Sequence, residues 1–238
     1  AGVMSAPFSL PDVFHFENYQ QAWQMGKLGT ALVNSVLVCG VTLIISLFFG
    51  AMAAFAIARM RWKLSEFMHT FFLIGMMVPV HCVLIPLFVR FAKLGLTNSQ
   101  GGLMIPYITF SLPMTIFLLT GFFRSMPGEM FEAAAIDGCN KWKQVFYITI
   151  PSIKPTIVTM LLLNLSHVLL IFEQIMVMYN ASVYSVSDVL QTYTYREGIL
   201  SGNIAYGTAI SLFTGVVSLI LVMSTNWISK HFLEDSIL

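Results

Sequence analysis

Ser125-Met-Pro-Gly-Glu-Met-Phe-Glu-Ala-Ala-Ala-Ile-Asp-Gly-Cys-Asn140, continued to Ile150-Pro-Ser-Ile-Lys-Pro155, is the longest clearly polar interruption between the apolar blocks of the chain. Pro127 is a helix start signal and Gly138 a stop signal; Glu129, Glu132, three alanines and Asp137 stand between them. The pattern predicts a short surface helix of about two to three turns. On a membrane protein, small residues flanked by carboxylates on such a helix most simply make a docking element for a soluble partner.

Composition supplies the membrane. Of 238 residues, 57% are hydrophobic and 10% charged, against about a quarter charged in soluble domains. A net charge of +1 gives nucleic acid nothing to bind. Cys39, Cys82 and Cys139 are widely spaced and make neither a disulfide framework nor a metal site.

Working outward, the polar stretch divides five apolar blocks, at about 28–58, 67–89, 101–123, 156–178 and 204–224. Each is long enough to span a bilayer. The fold class is therefore all-α, a polytopic membrane protein read as one transmembrane domain over 1–238. Glycines and alanines crowd the second half of the first block, where they permit close helix packing. Pro79 and Pro86 interrupt the second block and predict a kink or break. Pro151 and Pro155 are expected to re-aim the chain from the loop 125–155 into the fourth block.

With the five blocks alternating, Arg59, Arg61, Lys63, Arg124, Lys141, Lys143, Lys154 and Lys230 fall on one side, and Lys27, Arg90, Lys93 and Arg196 on the other. The first side is cytoplasmic by the positive-inside rule. The predicted helix at 129–138 lies there, and the loop 179–203 lies outside. An outside start at Ala1 predicts a further span before it, making six with both ends inside.

At the opening stretch the reading becomes specific. Glu132-Ala-Ala-Ala-Ile-Asp137-Gly138, then Phe146, Ile150-Pro151 and Pro155, with Ser125-Met-Pro-Gly-Glu129 ahead, resembles the "EAA" signature of permease subunits of bacterial ABC importers. Glu17-Asn-Tyr19, Leu32-Val-Asn-Ser35 and Ile57-Ala-Arg59 resemble carbohydrate permeases of the maltose-importer type. Phe172-Glu-Gln-Ile175, Met178-Tyr-Asn180, Val183-Tyr184, Asp188 and Thr192-Tyr-Thr-Tyr-Arg196 resemble a narrower branch, the alginate and polygalacturonan type permeases for complex or acidic polysaccharide fragments.

The resemblance implies a transmembrane permease subunit of an ATP-driven oligosaccharide importer in the bacterial inner membrane. It implies a coupling helix made by Glu129, Phe131, Glu132, Ala133, Ala134, Ala135, Ile136, Asp137 and Gly138. The implied partners are a second, related permease, an ATPase dimer that binds the ATP and Mg, an external solute-binding protein, an oligosaccharide and membrane lipid, with no nucleic acid. No cofactor is expected in this chain and no catalytic residue; it contains no G-x-x-x-x-G-K-[ST].

The fourth block carries Asn164, His167, Glu173 and Gln174. Polar groups at that depth face a partner or a cavity; they line a substrate path, or they hydrogen-bond a neighbouring subunit. Tyr179, Asn180, Tyr184, Tyr193 and Tyr195 in the outer loop are suited to docking the binding protein or to forming an interfacial aromatic belt. The coupling helix has a bland alternative too, an amphipathic helix lying on lipid. A secondary transporter and a membrane scaffold remain the rival functions.

Overall fold

The computed structural model describes residues 16–24, 28–60, 62–97, 99–168, 172, 175–176 and 188–232, and among these it is helical without strands. In chain order the helices are α1 (Glu17–Gln24), α2 (Leu28–Arg59), α3 (Ser65–Met77), α4 (Val80–Lys93), α5 (Gln100–Ser125), α6 (Gly128–Ile136), α7 (Lys141–Gln144), α8 (Ile150–Val168), α9 (Leu190–Thr194) and α10 (Ile204–Phe232). Two π-helical segments, Val145–Thr149 and Tyr195–Leu200, continue α7 and α9. Among the described residues, three helices are long and apolar enough to cross a membrane, Leu28–Arg59, Gln100–Ser125 and Ile204–Trp227, or four spans if the bent α3–α4 pair is one. The chain is a multi-pass membrane protein. The expected span 156–178 is described as helix to Val168; most of its outer part lies outside the described residues.

The centre of the molecule is the α2–α5 pair. A Cβ on Gly50 would stand 2.3 Å from Thr115 Cγ2, so the small-residue half of α2 is what lets α5 approach. One turn away Ser46 Oγ and Ser111 Oγ share a hydrogen bond. Ile57, Ile116, Leu119, Phe123, Met126 and Ile153 form the core at one end of the bundle. Leu28, Ala31, Leu190, Tyr193, Tyr206 and Ile210 form the core at the other.

Three expectations are corrected. First, the second block does not merely kink. It breaks at Val78–Pro79, and α3 and α4 meet at 95°. Pro79 supplies no N–H, and the residue before a proline is pushed out of the helical region; Val78 accordingly sits at ψ 113. Pro86 lies inside α4 without breaking it.

Second, Pro151 and Pro155 do not redirect the chain. Helical structure runs from Lys141 to Val168 through both. The π-segment just before Pro151 widens the helix, and Ile150 N–H reaches back to Val145 O. Such a bulge accommodates the backbone where a ring removes a donor.

Third, the outer loop is not a loop after residue 187. Leu190 to Leu200 is helical and packed into the bundle, with Tyr193 only 1% exposed. Its fit against α10 depends on two glycines. A Cβ on Gly207 would lie 2.6 Å from Gly198 Cα, and the reverse substitution gives 2.8 Å to Gly207 Cα. Backbone cannot retract as a side-chain tip does. Gly207→Ala is therefore expected to destabilise the folded chain by about 1–3 kcal/mol. Gly215→Ala on the same helix, with open space around it, is expected to be neutral or stabilising by up to ~1 kcal/mol. Thermal unfolding of both variants in detergent checks the contrast.

Candidate functional site

α6 stands at the Arg59 end of the bundle. Pro127 precedes it in extended backbone, at φ −59 and ψ 132. Its end is a Schellman motif: Cys139 N–H donates to Ala134 O at 2.8 Å and Gly138 N–H to Ala135 O at 3.1 Å. The motif requires a left-handed residue, and Gly138 supplies it at φ +79. The start and stop signals in the sequence thus correspond to the observed ends.

The helix has two faces. Inward, Ala134 is 9% exposed and Phe131 packs on the core formed by Ile57, Phe123 and Ile153. The Arg59 guanidinium lies 4.7 Å from the centre of the Phe131 ring, and its Nη2 donates to Met126 O. Gln144, buried at the start of the next helical run, donates to Phe131 O at 3.4 Å and Cys139 O at 3.2 Å. Asn140 Oδ1 accepts from Lys143 N–H at 2.9 Å and so begins that run. Outward, Glu129, Met130, Glu132, Ala133, Ala135, Ile136, Asp137 and Gly138 are exposed, Ile136 at 87%.

This divides the predicted coupling residues. Glu129, Glu132, Ala133, Ala135, Ile136 and Asp137 share an exposed surface; Phe131 and Ala134 hold the helix to the bundle. Arg59 and Gln144 are the anchors that sequence reasoning missed in this role. Arg59 was legible as a positive charge at the end of an apolar block and as part of the Ile57-Ala-Arg59 resemblance, not as an anchor of α6, and Gln144 gave no signal.

The other end of α2 carries a second cluster. Asp188 Oδ2 accepts from Arg196 Nη1 at 2.8 Å and Oδ1 from the Thr192 hydroxyl at 2.8 Å. Its backbone carbonyl accepts from Asn34 Nδ2 at 3.2 Å, and Asn34 Oδ1 accepts from Gln100 Nε2 at 3.0 Å. Leu190 N–H donates to Ser35 Oγ at 3.3 Å, and the Tyr193 and Tyr206 hydroxyls meet at 2.7 Å. The beginnings of α2, α5 and α10 are thereby fastened to one segment.

Among the residues expected on a substrate path, Asn164 and His167 lie on α8 with side chains outside what is described; Glu173 and Gln174 lie outside the described residues altogether. Tyr179, Asn180 and Tyr184 do so too. Tyr193 is buried in the clasp, and Tyr195 is half-buried against Phe172, ring centroids 5.4 Å apart. What this segment exposes is its tip, with Ile199, Leu200 and Ile204 open to the surroundings.

The chain is a multi-pass helical protein with a capped helix, exposed on one face, between two of its apolar helices. Residues 46–234 match the family described as "Binding-protein-dependent transport system inner membrane component", and the chain belongs to that family. It is 38% identical over 162 residues to the diacetylchitobiose uptake system permease protein NgcG of Streptomyces coelicolor, covering 68% of this chain and 54% of that one. It is 33% identical to the trehalose transport system permease protein SugB of Mycobacterium tuberculosis, over 63% of this chain and 55% of the relative. The chain spans about half the length of the curated relatives it matches. Its fold is that of a chain in a bacterial alginate ABC transporter, crystallised in complex with alginate pentasaccharide-bound periplasmic protein, at TM-score 0.82, 22% identity and coverage of 94% and 85%.

Removing the Asp188 carboxylate leaves Arg196, whose side chain is 22% exposed, with Glu197 as its remaining ion-pair partner among the described residues. Asp188→Ala is expected to cost about 1–3 kcal/mol of stability, through loss of the hydrogen bonds that the carboxylate accepts from Arg196 and Thr192. Protease resistance of the 188–203 segment, compared with the parent chain, checks whether the loss is local to the clasp.

Proposed function

We propose that this chain is the transmembrane permease subunit of an ATP-driven ABC importer for oligosaccharides in the bacterial cytoplasmic membrane. It forms half of the translocation path with a second permease, and α6 is the helix through which a partner ATPase moves it. ATP and Mg belong to that ATPase dimer, and a solute-binding protein delivers substrate from outside. The observation that carries the reading is the two-sidedness of α6, a short helix pinned on one face by Phe131, Arg59 and Gln144 and bare on the other. Ile136 and Met130 offer apolar contact, flanked by Glu129, Glu132 and Asp137. The macrodipole favours carboxylates in the first turn, so Glu129 stabilises the helix as well as presenting charge.

The relatives' names, uptake systems for diacetylchitobiose and trehalose, support a saccharide as the cargo. The path is placed beside the α3–α4 elbow. A helix broken inside a span leaves carbonyls without intrahelical donors, and lipid cannot satisfy them. Met76, Met77, Val78, Pro79, His81 and Cys82 are all exposed there, Met77 at 79%. A broken span of this kind faces water or a neighbouring subunit. A secondary transporter fits less well: α2, α5 and the segment Ile204–Trp227 contain no Asp or Glu to carry a coupling ion.

Ala134 is buried and Gly138 donates within the Schellman motif, so substituting either disturbs α6 itself. Ala133 is exposed. Ala133→Trp is expected to leave the permease pair assembled and thermally stable, yet to weaken ATPase association about tenfold or more, equivalent to ~1.4 kcal/mol. ATP-driven sugar uptake in proteoliposomes should fall with it. Wild-type uptake by that variant would mean that α6 is not the coupling surface.

A further inference from the structure

The elbow between α3 and α4 stands inside the bilayer. α3 starts at the Arg59 end of the bundle, where Ser65 Oγ donates to Ile57 O and Glu66 pairs with Arg124. Its 13 residues extend about 20 Å at 1.5 Å per residue, whereas the hydrocarbon core is about 30 Å thick. The end of α3 therefore falls short of the opposite surface. His81 follows just beyond the 95° turn, on a helix that leaves almost at right angles and so adds little depth.

His81 is exposed and makes no hydrogen bond, ion pair or ring contact with any described residue. An ionisable side chain at that depth faces a neighbouring subunit or a water-filled cavity, not acyl chains. The elbow is open on more than one side. His81 and Cys82 point about 100° apart on α4, and both are exposed, as are Met76, Met77, Val78 and Pro79 across the break. A packed partner helix would cover one stripe of such a surface. No Asp or Glu occurs in α2, or anywhere between Glu66 and Glu129, so α2, α4 and α5 offer His81 no carboxylate. What it can engage is a neutral polar group that arrives through water.

A saccharide has that chemistry. Neutral imidazole carries one donor and one acceptor, and each sugar hydroxyl can serve as either. Met76 and Met77 add a pliable apolar surface for the C–H faces of the sugar ring. We propose that His81 is a saccharide-contacting residue of the translocation path, hydrogen-bonding cargo hydroxyls as they pass the elbow. This rests on the reading of the chain as a saccharide importer, and it adds the group that touches the cargo.

Cys82 makes the contact measurable. A thiol reacts as its thiolate, which forms in water and not among acyl chains. Cys39 is 3% exposed, so Cys139→Ser leaves Cys82 as the accessible thiol of the described chain. In proteoliposomes holding the complete importer, a membrane-impermeant charged methanethiosulfonate is expected to modify Cys82, and millimolar diacetylchitobiose or trehalose to slow the modification. His81→Leu should raise the half-protecting concentration about tenfold, as loss of one hydrogen bond gives. His81→Gln, which keeps a donor and an acceptor, should stay within about twofold of the parent. Cys82 that is unmodified in the complex overturns the proposal; modification only after the second permease is omitted assigns the elbow to the subunit interface and overturns it too. So does modification that neither sugar slows, or protection that His81→Leu leaves unchanged. ATP-driven uptake in the same vesicles separates this site from the importer reading. Uptake without protection keeps the importer and removes His81 from the path, whereas protection without uptake keeps the contact and removes the ATP-driven role.

Discussion

The Arg59 guanidinium joins three parts of the chain that are far apart in sequence. It ends α2, hydrogen-bonds the carbonyl of Met126 where α5 gives way to α6, and stacks on Phe131 within α6. A lysine could carry the same charge but not the same geometry, because only a planar guanidinium offers a face to the ring while its edge donates. Gln144 completes the arrangement from the other side by binding carbonyls at Phe131 and Cys139. α6 is too short to be stable alone, since isolated helices of fewer than about 12–15 residues are marginal in water. It persists because its caps and these anchors hold it, and this leaves its outer face free of any structural duty.

The bilayer imposes the next constraint. Backbone groups at depth must be paired, and prolines remove donors. The chain meets this in three different ways. α5 carries Pro106 and Pro113 inside a continuous helix. The run into α8 takes up Pro151 behind a π-segment. At Pro79 the helix gives way entirely, and the chain turns by 95°. Only the last interrupts the helix, and no residue of α3 is buried. The same residue type therefore leaves the helix continuous at two sites and ends it at the third.

That contrast explains what was legible in the sequence. Helix ends written in local chemistry could be read, as Pro127 and Gly138 show, because capping depends on residues within one turn. Apolar blocks could be read because the bilayer selects on composition over some twenty residues. Which proline would break its helix could not be read, since that depends on the neighbours that re-satisfy the carbonyls. The tyrosines of the 188–203 segment looked like surface rings because Asp, Ser and Tyr together resemble a polar loop. Their burial depends on pairings between residues more than 150 positions apart, Asn34 with Asp188 and Ser35 with Leu190. It also depends on the meeting of Gly198 and Gly207 backbones, which a one-dimensional pattern does not contain.

α2 connects the two ends. It has 32 residues and is about 48 Å long at 1.5 Å per residue, with Asn34 and Ser35 in the clasp at one end and Arg59 under α6 at the other. Between them Gly50 and Ser46 lock it to α5, so α2 and α5 cannot slide past each other without separating the Gly50–Thr115 contact. α5 is tied in at both of its ends as well, through Gln100 to Asn34 and through Met126 to Arg59. α6 is thus rooted on a braced pair rather than on a single helix. α3 is tied to the same pair at its start, by Ser65 Oγ to Ile57 O and by Glu66 to Arg124, and the chain turns by 95° into α4 at Val78–Pro79.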